Sequence, residues 1–134
     1  MWITLTIVLA TLAASFTDWL FMDALIHRFY AAHPDTWRPS EGAGRIIVSQ
    51  VIGTATTAAA VLLCLLIPGR PLLLAIAVWA AGPLPVSLQT LQWMRVHPAI
   101  TASHATGWLA RLLIATFMAA WLINPHVAGP GVLH

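Results

Sequence analysis

Asp18 is a carboxylate deep inside an apolar run that opens at Ile3. A charge at mid-bilayer costs about 2.5–3.5 kcal/mol on insertion scales, so such a residue faces the protein interior and takes a partner. The helical rise places Asp18 about 22 Å along its helix, in one outer third of a ~30 Å hydrocarbon core. Arg111, counted inward from the opposite end of the last apolar stretch, reaches a similar level. Its planar fork suits a carboxylate bidentately. Gln50 and Gln89 fall near that level on the two intervening stretches, and are expected to supply the remaining hydrogen bonds. Two uses of such a layer stay open. It can fix helix rotation and register, or it can carry a ligand or a proton.

A second set lies one to two turns nearer the same end. Asp23 and His27 are four apart and share a helix face, and Tyr30 continues it. A carboxylate beside an imidazole holds its tautomer, as a proton relay, a general base or half a metal site would require. A solvated histidine at the membrane surface with its ion-pair partner is the plainer alternative. His97 and His104 flank the start of the last stretch and, with His27, could give a haem or metal ligand set. Their spacing matches no ligand motif, so no cofactor is expected. His126 and His134 fall in the opposite tail. The lone Cys64 can form no internal disulfide and reads as a small buried hydrophobe.

The elements that position these residues follow from composition. Hydrophobic residues make up 60% of the 134 and charged residues 7%, with a mean hydropathy of +0.85. So few charges cannot cover a soluble fold. The chain therefore reads as one all-α domain over 1–134, a polytopic membrane protein with four spans in an up-down bundle. The spans run over about 3–30, 44–67, 71–94 and 101–123, each near the roughly twenty residues a bilayer demands. The first is expected to be an uncleaved span, because it lacks a basic start and its apolar run continues to about Tyr30. Pro34, Pro39, Ser40, Glu41 and Gly42 mark the one sizeable loop, and Pro68-Gly69-Arg70-Pro71 a tight hairpin. Asn124-Pro125 should end the fourth span. Pro83 and Pro85 should break the third span near its middle, since each removes a backbone donor. Such breaks are tolerated in membranes where protein packs them or a cavity adjoins them.

Small residues recur every fourth position in two rows of the second span, Ser49-Gly53-Thr57 and Ala55-Ala59, as close helix packing requires. His33-Pro34 and His97-Pro98 end the first and third spans, too slight an echo to establish a duplicated hairpin. All six basic residues are arginine, and the formal charge is only +2. No basic run points to nucleic acid. Arg28, Arg38, Arg45 and Arg95 gather at one end of the spans and only Arg70 at the other. The positive-inside rule then puts loops 31–43 and 95–100 in the cytoplasm and both termini outside. A bacterial inner membrane is the expected location.

Phe16-Thr17-Asp18-Trp19-Leu20-Phe21-Met22, Gly82-Pro83-Leu84-Pro85 and Ser103-His104-Ala105-Thr106-Gly107-Trp108-Leu109 together resemble a small bacterial four-helix membrane family, a domain of unknown function. The resemblance implies four spans and no activity, cofactor or catalytic residue. Three functions follow from the residues, in descending order. The first is a bundle that oligomerises or joins a membrane complex, its lipid bilayer being the other partner. The second is proton-linked or small-solute transport or binding through an oligomer. The third is a membrane-embedded enzyme on a lipid-like substrate, with Asp18 or Asp23 as acid or base. It ranks last because no nucleophile, metal or nucleotide motif is present.

Overall fold

A computed structural model describes residues 1–36, 42–67 and 69–127, and their side chains except those of Met22, Asp23, Arg45 and residues 124–127. Arg38, Pro39, Ser40, Glu41, Pro68 and His134 lie outside the described residues, as do the side chains of Asp23, Arg45 and His126. The described residues form helices α1 (Trp2–Phe21), α2 (His27–Ala32), α3 (Ala43–Leu66), α4 (Pro71–Ala81), α5 (Pro83–Trp93) and α6 (Pro98–Val127). Among them there is no strand. Four runs are long and apolar enough to cross a membrane: Trp2–Ala32, Ile46–Leu66, Pro71–Trp93 and Pro98–Ile123. The protein is thus an all-α membrane protein with four candidate spans.

Local chemistry sets the boundaries. Ile67 closes α3 by donating its N–H to the Leu63 carbonyl, and Gly69 then turns the chain with φ +88°, a conformation that favours glycine. Pro71 and Pro83 each sit in a first helical turn, where a missing N–H costs nothing. The break in the third span therefore falls at Gly82, one residue before the expected pair. Pro85 is not part of it but lies within the first turn of α5. His97 caps α6: its Nδ1 accepts the Ala99 N–H at 3.2 Å. The helix runs to Val127, past the expected stop at Asn124-Pro125. Near a terminus Pro125 interrupts few helical bonds.

The first span holds an element that composition does not signal. Met22–Ile26 is a π-helical turn between α1 and α2. Wider turns of this kind rephase the following helix. Beyond it His27 is exposed, and Tyr30, one turn on, is half-buried and meets His104 ring edge to ring face, centroids 6.3 Å apart.

The last helix is the hub. α6 packs against α1, α3, α4 and α5, and successive spans lie side by side. Alanines bring the backbones close: Ala10 and Ala14 of α1 and Ala115 and Ala119 of α6 are buried with Val61 and Cys64 of α3. Where lipid gives no hydrophobic drive between helices, small residues and van der Waals contact hold them. Ala60, Ala75 and Leu112 form a second core between α3, α4 and α6. Trp79 ties α4 to α6 by donating its indole N–H to the Ala105 carbonyl at 2.7 Å. Of the two small-residue rows, Gly53 and Thr57 are buried, whereas Ala55 and Ala59 face out. Large apolar side chains such as Phe16, Val51, Leu66 and Trp121 cover the outside.

Candidate functional site

Arg111 is the largest fully buried side chain among the described residues, 2% exposed. Asp18 stands near the middle of Trp2–Ala32, Thr57 near the middle of Ile46–Leu66 and Arg111 near the middle of Pro98–Ile123. Each thus lies near the middle of its span, because the first and fourth spans extend further at the His33 and His97 end than the boundaries expected from sequence.

One guanidinium joins three spans. Arg111 Nη1 donates to Asp18 Oδ2 at 3.1 Å, a single contact rather than a bidentate fork. Arg111 Nε donates to Thr57 Oγ1 at 2.8 Å. Thr57 can accept because its own proton goes to the Gly53 carbonyl at 2.8 Å. The guanidinium carbon lies 5.2 Å from the ring centroid of Trp108, a cation–π distance. A Cβ at Gly53 would stand 3.1 Å from Nη1 and 3.4 Å from Nη2. The missing side chain of Gly53 is therefore the socket for the guanidinium. Nη2 has no hydrogen-bond partner among the described residues.

Gln50 and Gln89 do not complete this layer. Both are exposed and hydrogen-bond to nothing among the described residues. Gln50 lies two turns from Thr57, about 10 Å along the helix. Thr57 supplies the bond expected of it. Spacing marked Gly53 and Thr57 as a packing row, and that row is also the arginine's cradle. The expected Asp23–His27 pair lies outside the described residues at Asp23, and His27 is exposed.

The two His-Pro dipeptides meet. The His33 and His97 rings stack with centroids 3.6 Å apart and planes 26° apart. His33 Nδ1 hydrogen-bonds the Phe29 carbonyl at 3.0 Å, and the His97 N–H donates to Thr36 Oγ1 at 2.8 Å. These contacts fasten the end of the first span to the start of the fourth. The possible ligand set His27, His97 and His104 is not assembled: among the described residues no three His, Cys, Asp or Glu side chains form a group that could hold a metal.

A recess of about 410 Å³ lies between α3, α5 and α6. It exists because the Gly82 break separates the two halves of the third span. α4 packs on α3, whereas α5 packs on α4 and α6 only. Tyr30, Thr56, Ser87, Thr90, Thr101 and His104 give it polar groups, and Trp108 stands between it and the buried arginine on the same helix. Sequence reading noted His104 as a possible ligand and Pro83 as a break, but not that they share one recess.

No protein-family model, curated protein or solved structure was found to match the chain.

Proposed function

We propose that the protein is an oligomeric or complex-forming helical bundle of a bacterial inner membrane, with loops 31–43 and 95–100 in the cytoplasm and its termini outside. The observation that carries this reading is the outward placement of Gln50 and Gln89 inside the second and third spans. Each lies about one turn, some 6 Å, inside the same end of the bundle. A primary amide facing hydrocarbon leaves donors and acceptors unmade, and amides commonly join membrane helices. A second bundle, or another membrane subunit, would satisfy them. The Asp18–Arg111 pair and its Thr57 bond support the reading as an internal lock that holds the outer faces in fixed rotation. The four-helix family named above fits the same architecture.

The test is the molecular mass of the purified chain in mild detergent and in lipid nanodiscs, by light scattering. A dimer or larger assembly is expected, and Gln50→Leu with Gln89→Leu should shift it to monomer. A wild-type chain that is monomeric at all concentrations, with no co-purifying membrane subunit, overturns the reading.

A further inference from the structure

We propose that the recess between α3 and α5 binds a neutral, lipid-like molecule through a hydroxyl head group. This goes beyond assembly and does not depend on it. The recess of about 410 Å³ falls within the range of small-molecule sites. Its rim is formed by Ile52, 58% exposed, and Val86, 61% exposed, one on each side of the gap between the second and third spans. Such an opening faces the bilayer, so a ligand enters sideways from the hydrocarbon. Pro83, Val96 and Trp108 give the walls apolar surface.

The polar groups define the head. Thr56, Ser87 and Thr90 each donate their hydroxyl proton to a carbonyl one turn back, on Ile52, Pro83 and Val86. What they still offer is lone pairs. His104 makes no hydrogen bond among the described residues, and its imidazole can present one nitrogen as an acceptor. Thr101 is the exception among these threonines. It is 7% exposed, lines the recess, and its Oγ1 has no partner among the described residues, a state shared with Thr11 of α1, whereas Thr56, Thr57, Thr90 and Thr106 all bond one turn back. A buried hydroxyl without a partner is a rare state in folded proteins. The lining thus presents several acceptors, the hydroxyls of Thr101 and Tyr30, the indole N–H of Trp108, and no formal charge when His104 is neutral. An ammonium would find no counter-charge there, and neither would a carboxylate beside a neutral His104. A hydroxyl both donates and accepts, and matches this set.

The experiment uses the full chain in micelles and a diazirine-bearing long-chain alcohol, with labelled peptides mapped by mass spectrometry. Labelling is expected within 52–56, 83–90 and 101–108. 1-Dodecanol should compete at least tenfold better than dodecanoate, dodecyltrimethylammonium or dodecane, a difference worth about 1.4 kcal/mol. Farnesol and monoolein arms separate an isoprenoid from an acylglycerol source. Thr101→Val keeps the shape, and should weaken competition about tenfold with an unchanged melting temperature. Ser87→Phe should fill the recess and abolish labelling. Labelling spread over the outer face, equal competition by all four dodecyl compounds, or unaltered competition in Thr101→Val overturns the proposal.

Discussion

Gly53 gives up its side chain to a guanidinium. A Cβ there would sit 3.1 Å from Arg111 Nη1, and the arginine is held on its other sides by Asp18, Thr57 and Trp108. Gly53→Ala should therefore destabilise by about 1–3 kcal/mol, the usual cost of overpacking. At Gly44 an added Cβ meets nothing within 4 Å. Gly44→Ala should be neutral or stabilise by up to about 1 kcal/mol, because alanine loses less backbone entropy in a helix. Thermal unfolding in detergent, read by circular dichroism, checks the opposite signs. The sequence marks Asp18 and Arg111 because intramembrane charges require partners. It cannot mark Thr57 as the third member, since a small residue in a packing row looks the same whether it meets a methyl group or a guanidinium. Gln50 and Gln89 were expected inward on residue type alone. Rotation of a helix about its axis is decided by the face its neighbours bury, and the buried face of α3 is that of Gly53, Thr57, Ala60, Val61 and Cys64.

Among the elements, the third span carries the largest consequence. Gly82 and Pro83 end α4 and restart α5, so the second half of the span leaves α3. Replacing Gly82, Pro83 and Pro85 by alanine should restore a continuous helix and bring Ile52 and Val86 together. In a Cys64→Ser background, Ile52→Cys with Val86→Cys should cross-link poorly in the natural sequence and readily in the alanine variant. Rapid cross-linking without the alanines would contradict an open recess. Proline and glycine made this break legible to within one residue. The π turn Met22–Ile26 was not legible, because Met-Asp-Ala-Leu-Ile holds no glycine or proline to mark a departure from the α-helix. It lies between two contacts of the first span: Phe21 packs at Gly107 of α6, and the His33 ring is stacked on His97. A rephasing turn lets both contacts form on one helix.

For the molecule as a whole, length and apolarity fixed the four spans, and hydropathy needs no packing information to do so. Orientation rests on the arginine imbalance. Asp35 and Ile67 are exposed at opposite ends of the bundle. In intact cells an impermeant maleimide should label Ile67→Cys, and Asp35→Cys only after permeabilisation. The reverse pattern would invert the proposed topology. Which helix lies at the centre was not legible, because the last span is no more apolar than the others. α6 becomes the hub through its small buried residues and through Arg111, which reaches α1 and α3 at once. The most direct measurement is a double-mutant cycle on Asp18→Asn and Arg111→Met, with unfolding free energies measured in detergent. Losing the arginine alone should cost up to about 3–5 kcal/mol, since the part-buried Asp18 carboxylate is left uncompensated. The double variant should recover at least about 1 kcal/mol of the summed single losses. Strictly additive losses would contradict a bundle locked by this pair.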